Sequence, residues 1–227
     1  MRELILIHGF GSSSRAWAPQ REALSQRFRV TAVDLPGHGA RAADGFDLDA
    51  AVSAVREHVT DGAHVLGISG GATVAMLVAL AEPGRLGSLL LSAPVAAPPA
   101  SLAVQRTVMR LTPEPLLRNM MAKLYSGNRQ RYRETAKRDF ARCGKANLLA
   151  ALAAIAELDL RDRLSDIDAP TLVVCGTRDR ENLAPSTVVA NGIPSATLHE
   201  IPGVGHLWNL EEPELFNRTV VDFAAGH

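Results

Sequence analysis

The sequence predicts an open, doubly wound, mostly parallel α/β sheet of about six strands, interrupted by a helical insertion. Three observations carry that prediction. Short apolar runs alternate with segments of helical periodicity over residues 1–93 and again over 165–227, and parallel neighbours need such crossover connections. The first run, residues 3–7, is short and shows no apolar/polar alternation, as expected of a strand buried on both faces. Finally, His8, Asp34, Ser69, Ser92, residues 176–179 and His206 each fall at or beyond the carboxyl end of a predicted strand, where ligands bind in such sheets.

Taken in order, the first strand leads into a loop rich in Gly and Ser at 8–14. Trp17, Leu24 and Phe28 then recur near helical spacing, with Pro19 tolerable in a first turn. A second strand covers 29–34 and a turn-rich loop 35–39. Leu48, Val52, Val55 and Val59 form the stripe of a second helix, with Asp47 or Asp49 near its start. A third strand at 64–68 turns at Ser69 into a helix running to Ala81, whose Ala72, Ala75 and Ala79 permit close approach to the sheet. The fourth strand is 86–91.

Alternation then stops. From 94 to 164 the pattern is helical without strands, broken early by Pro94, Pro98, Pro99, Pro113 and Pro115. Val108, Leu111, Leu116, Leu117, Met120, Met121, Leu124 and Tyr125 read as a cluster; Met109, Met120 and Met121 are more often core packing than substrate surface, and in a cap over an active site are able to be both. Strands resume at 171–175 and 197–201, and a last helix starts near Pro213. The expected organisation is a core of 1–93 and 165–227 carrying an insertion at 94–164.

Composition narrows the function classes. The chain has 227 residues, is 47% hydrophobic, and balances 24 Lys+Arg against 24 Asp+Glu. That balance argues against a basic field for nucleic acid or an anionic membrane. Cys143 and Cys175 lie far apart and suggest no disulfide framework, so a reducing, cytoplasmic setting is expected. The apolar run at 4–7 is too short for a signal peptide, and the uncharged stretch 65–81 falls short of the roughly 20 residues a membrane span needs. No metal-ligand spacing and no phosphate-loop motif occurs, so neither metal nor cofactor is expected.

The chemistry centres on Gly67-Ile68-Ser69-Gly70-Gly71. A G-x-S-x-G corner between strand and helix needs tiny neighbours two residues either side, and lifts the serine hydroxyl to a helix N-terminus. An ordinary Gly/Ser turn is the competing reading of this pentapeptide. A serine nucleophile needs a base, and histidine titrates near neutrality. His206 follows the last strand in a flexible loop, and Asp179 ends the loop after the neighbouring strand, where it is able to orient that imidazole.

With these pieces in place, the chain resembles the α/β-hydrolase superfamily, specifically its compact capped members. The matching motifs are His8-Gly9-Phe10-Gly11, Asp34-Leu35-Pro36-Gly37-His38-Gly39, the Ser69 pentapeptide, Pro170 with Gly176-Thr177-Arg178-Asp179, and Pro202-Gly203-Val204-Gly205-His206 running on to Glu212-Pro213-Glu214. They occur in the order serine, acid, histidine. The resemblance implies Ser69 as nucleophile, His206 as base, Asp179 as its orienting acid, and the backbone N–H groups of Phe10 and Gly70 as an oxyanion hole. It also implies that the sheet lacks the family's two leading strands.

The implied activity is hydrolysis of a small to medium carboxylic ester through an acyl-enzyme. Thioesterase, lactonase, C–C hydrolase or lyase chemistry, or a ligand receptor with little turnover, are the alternatives. Partners are expected to be a small ester or acyl molecule and, in assembly, at most a small homo-oligomer. Candidate apolar lining comprises Phe10, Trp17, Leu207, Trp208 and, from the insertion, Met120, Met121 and Leu124. His8, His38 and Asp34 read as loop-ordering residues, and His58 and His64 as surface residues. Gly70, where the family commonly carries a larger residue, is expected to leave its N–H free and to widen the pocket.

Overall fold

The structure is a computed structural model describing residues 1–126 and 129–227. Six strands form one sheet: β1 (Glu3–Ile7), β2 (Arg29–Val33), β3 (Ala63–Ile68), β4 (Leu86–Ser92), β5 (Thr171–Gly176) and β6 (Ala196–Ile201). Their order is β2-β1-β3-β4-β5-β6 and every pairing is parallel. The chain moves outward from β1 to β2 and then restarts on the other side at β3. The crevice between the carboxyl ends of β1 and β3 is therefore the switch point of the sheet.

Nine helices accompany these strands among the described residues: α1 (Ala18–Ser25), α2 (Leu48–Arg56), α3 (Gly70–Ala81), α4 (Leu102–Leu111), α5 (Glu114–Ser126), α6 (Gln130–Ala156), α7 (Arg180–Gly192), α8 (Trp208–Glu211) and α9 (Pro213–Ala225). Two apolar layers sandwich the sheet. Leu4 and Leu6 of β1 point into one with Leu24 of α1 and Phe216 and Val220 of α9; Ile5 and Ile7 point into the other with α2, α3 and α7. Successive side chains of a strand face opposite sides, so a strand buried on both must be apolar throughout. Helix α2 begins at Asp47, whose carboxylate accepts the Ala50 N–H at 2.8 Å.

Helices α4, α5 and α6 intervene between β4 and β5, where a helical insertion is expected. The chain leaves the sheet at Ala93, which holds a left-handed φ of 51°. Helix α6 turns sharply at Gly144, where φ is 70°. It packs on both α4 and α5, whereas α4 and α5 barely touch each other. Pro113 separates them, since it is unable to continue a helix. No helix among the described residues is long and apolar enough to cross a membrane.

Three expectations need correction. His64 is buried within β3, with Nδ1 2.8 Å from the Ser88 hydroxyl. Burial, assisted by Arg2 and His227, pushes its pKa down to about 4. The expected apolar cluster of the insertion is only partly a core: Leu117 and Met121 are buried, but Val108, Leu111, Leu116, Met120 and Leu124 are exposed. Finally, zero net charge conceals a split. Residues 94–164 hold 13 Arg+Lys and 6 Asp+Glu, leaving 11 and 18 in the rest of the chain. The whole-chain balance hides a basic insertion on an acidic core.

Candidate active site

Ser69 joins β3 to α3 with φ 55° and ψ −124°. Such a backbone costs a non-glycine residue about 1–3 kcal/mol and persists only where surroundings enforce it. Here the Ser69 N–H donates to the Ser92 carbonyl of β4, and the Ser69 carbonyl accepts the Ala72 N–H, both at 2.8 Å. The flanking glycines answer to close approach. A Cβ on Gly67 would overlap the Gly71 carbonyl oxygen, and one on Gly71 would lie 2.5 Å from the carbonyl oxygens of Ile7 and His8. Gly70 is the first residue of α3, so its N–H has no partner within the helix and the helix dipole favours negative charge beside it.

Asp179 precedes α7 and is 8% exposed. Its Oδ2 lies 2.6 Å from Nδ1 of His206, and its Oδ1 accepts an N–H from the Asn182 amide at 2.8 Å. Burial alone would raise the Asp179 pKa, but the hydrogen bond and charge of His206, with Asn182, outweigh it and hold the carboxylate below its usual range. With Nδ1 engaged, Nε2 is the imidazole nitrogen left to exchange a proton. The loop before His206 is braced by Glu211, whose carboxylate accepts the Gly205 N–H at 3.1 Å and pairs with Arg178. Arg129 of the insertion reaches the Glu211 carbonyl.

The loop after β1 forms the facing wall. A Cβ placed on Gly9 would be 3.5 Å from the Ser69 Cβ, so this backbone lies against the elbow. Two buried histidines order it. His8 accepts the Leu35 N–H on Nε2 at 3.2 Å and donates from Nδ1 to the Gly9 carbonyl at 2.9 Å. His38 accepts the Gly11 N–H at 2.9 Å and donates to the Pro36 carbonyl at 3.0 Å. Burial and the neighbouring His38 push the His8 pKa down to about 3, and burial lowers that of His38. Asp34 accepts the Ser14 and Ala40 N–H groups at 2.6 and 2.8 Å. From α5, the Tyr125 hydroxyl donates to the Phe10 carbonyl.

One cavity of about 250 Å³ is lined by Ser69, Gly70, Phe10, Asp179 and His206 together. Met121 and Leu124 line it as well. Four other predicted lining residues lie elsewhere. Trp208 is buried under the site, its indole N–H 3.0 Å from the Ser92 hydroxyl and its ring against Phe216. Trp17 and Leu207 border a separate small cavity of about 80 Å³ behind the 8–14 loop. Met120 is half exposed on α5 and does not reach this cavity. Gly70 does not widen the pocket, because a Cβ there would overlap the Phe10 ring, which fills that space. Met109, weighed with the other cap methionines as core or substrate surface, lines the cavity; the sequence reading missed Asn182, Tyr125, and the lining residues Leu102, Leu148, Leu152 and Ile155. Asn182 alone had a local signal, standing three residues after Asp179 at a helix start. Among the described residues, no group of three His, Cys, Asp or Glu is arranged to hold a metal.

A hydroxyl at a helix N-terminus and an imidazole oriented by a carboxylate, lining one cavity with the backbone of Phe10 and Gly70, form an arrangement able to carry out acyl transfer. Comparison with known proteins agrees with this chemistry. A family model described as the alpha/beta hydrolase family matches residues 4–219. A proposed carbamate hydrolase of Rhizobium rhizogenes is 33% identical, aligning 98% of this chain with 92% of that protein. A pimeloyl-[acyl-carrier protein] methyl ester esterase of Neisseria meningitidis is 32% identical over 79% of this chain and 76% of its own. Among solved structures, a hydrolase from Pseudomonas aeruginosa superimposes with TM-score 0.84 at 26% identity, covering 98% of this chain and 89% of that one. A hydrolase from Oleispira antarctica shares the fold with TM-score 0.88 at 19% identity, covering 100% and 92%. A match along nearly the whole length, on a sheet and elbow of this geometry, makes the chain an enzyme of the alpha/beta hydrolase family.

Proposed function

We propose that the protein is a serine hydrolase cleaving a carboxylic ester through an acyl-enzyme, with Ser69, His206 and Asp179 as its triad. The observation that carries this reading is the 2.6 Å Asp179–His206 bond in the cavity that also holds the strained Ser69. Ser69 Oγ attacks the ester carbonyl while His206 Nε2 takes its proton. The N–H groups of Gly70 and Phe10 hold the oxyanion. His206 returns the proton to the departing alcohol, and water attacks the acyl-enzyme with His206 again as base. Residues 94–164 act as a cap unit over this site.

The test is a panel of chromogenic esters, thioesters and lactones with the wild type and Ser69→Ala, alongside labelling by a serine-directed phosphonate. The expected outcome is ester turnover lost in the variant. Hydrolysis largely retained by Ser69→Ala sinks the mechanism. Phosphonate labelling without any turnover selects the lyase or receptor alternative.

A second reading concerns the substrate's carrier. The Neisseria relative is named for an ester borne on an acyl-carrier protein. The basic surplus of residues 94–164 would favour a carrier whose surface is acidic. A strong fall of kcat/KM with ionic strength on a carrier-borne ester, absent on the free ester, identifies that case.

A further inference from the structure

Helices α4 and α5 both rest on α6 yet barely touch each other, and the space between them is a groove of about 720 Å³. Its walls are Val104, Val108 and Met109 on α4 and Leu117, Met120 and Met121 on α5. These recur at three- and four-residue spacings, which place them on facing stripes of the two helices. Ordinarily such stripes close on each other. Here they remain open, with Val104 66% exposed. The groove is continuous with the Ser69 cavity, because Ser101, Gln105, Met109, Met121, Leu124 and Glu181 border both.

We propose that this groove holds a linear hydrocarbon chain of the substrate, so that the preferred esters carry a long unbranched chain rather than a small or medium group. The inference rests on the hydrolase reading above and extends it to substrate class. An apolar trough leading from a reactive serine fits a chain that enters at the ester and runs out between the helices. Its methionine walls adapt to a flexible occupant without demanding a fixed shape. Lys123 and Glu181 are the charged groups lining it. The polar Ser101 and Gln105 border the junction with the reactive cavity. An extended chain buries its methylenes along the trough, and each buried methylene adds up to about fourfold in kcat/KM.

The experiment measures kcat/KM for two series: p-nitrophenyl alkanoates from two to twelve carbons, and acetates of linear alcohols over the same lengths. The expected result is a rise of about two- to fourfold per methylene beyond four carbons in one series, which also tells whether the acyl or the alcohol chain occupies the groove. Val108→Arg and Met120→Glu place a charge on each wall. Each should lower the ten-carbon to two-carbon ratio at least tenfold, whereas Leu111→Arg, on the same helix but outside the groove, should leave the ratio unchanged. A flat dependence in both series, in an enzyme that hydrolyses short esters, overturns the groove and spares the hydrolase reading. So does an unchanged ratio in Val108→Arg when sedimentation shows that the substitution instead dissociates a dimer. If no ester is turned over, the hydrolase reading fails, and the groove is judged on Ser69→Ala protein by decan-1-ol displacement of Nile red. Displacement that Val108→Arg abolishes supports the groove, and absence of displacement overturns it.

Discussion

The sheet core and the helical insertion, the proposed cap, handle the same two materials, apolar side chains and polar groups, in opposite ways. In the core, apolar residues of β1, β3, β4 and β5 are buried, and histidines and carboxylates near the site are engaged by backbone groups. In the cap, Val104, Val108, Leu111, Leu116, Met120 and Leu124 are exposed, and helices α4 and α5 stand apart. The core carries an excess of acidic residues and the cap an excess of basic ones. The difference separates two tasks. Chemistry needs groups held within tenths of an ångström, which only a close-packed scaffold supplies. Selection of a substrate needs surface left unspent by folding.

The sharpest way to break this division is Ser69→Gly. Ser69, the proposed nucleophile, sits at φ 55° because the packed elbow enforces it. Glycine adopts that conformation without strain, so the variant should lose about 10⁴- to 10⁶-fold in kcat while gaining about 1 kcal/mol of stability. Ester assays and calorimetry on the same preparation check both halves. A variant that loses stability together with activity would mean that the hydroxyl itself holds the corner.

The next largest effect is the loss of stability between about pH 6.5 and 5, where histidines titrate, and it should belong to the core. All seven histidines lie outside residues 94–164. His8 and His64 have pKa values lowered to about 3 and about 4, chiefly by burial, and that of His38 is lowered too. An unfolded histidine binds its proton near pH 6.5. Between that value and the folded pKa the unfolded state therefore holds more protons, so stability is full above about pH 6.5 and declines as pH falls. Each fully buried histidine contributes up to about 1.4 kcal/mol per pH unit across its window. Urea midpoints at pH 7.5, 6 and 5 should fall in that order, and His64→Asn should reduce the slope. A midpoint independent of pH would show that these histidines take up protons in the folded state.

Where the two regions meet, Tyr125 of α5 donates its hydroxyl to the carbonyl of Phe10, whose N–H the proposed mechanism aims at the oxyanion. Burial raises the Tyr125 pKa, so it remains a neutral donor throughout the working range. Tyr125→Phe leaves a buried carbonyl without that partner, and kcat should fall about three- to tenfold with little change in KM. A change confined to KM would make Tyr125 part of the substrate wall instead of a support for the loop.

How much of this was legible in the chain follows the same division. The fold class and the spacing of Ser69, Asp179 and His206 rest on turn chemistry and on strand ends, which are local properties of sequence. Trp208 misled because it stands two residues after His206 in the chain, yet its indole N–H is turned to the Ser92 hydroxyl at the end of β4. Gly70 misled because the space it leaves is taken by the Phe10 ring, a contact between residues 60 positions apart. His64 looked like a junction residue until the strand began one residue earlier, at Ala63. Tyr125 and the groove were invisible for a stronger reason. They depend on how α4, α5 and α6 pack, and a helical stripe reads identically whether its partner is another helix or empty space.

That ambiguity leads to the smallest predicted effect. Leu66, fully buried in β3, should lose about 2–5 kcal/mol on replacement by alanine, because the cavity left behind collapses only partially. Leu111, 77% exposed at the end of α4, should lose less than about 0.5 kcal/mol on replacement by serine. The contrast matters because Leu111, Val104 and Leu124 look equally core-like in a sequence. If thermal melts of Leu111→Ser and Leu66→Ala differ as expected, the cap's apolar surface is not maintained by the demands of folding. A set of large apolar residues that folding does not require, held beside the opening of a reactive cavity, answers to something that binds there. If Leu111→Ser instead lowers the melting point by many degrees, Leu111 is packed away in solution, and the contrast between core and cap fails at that position.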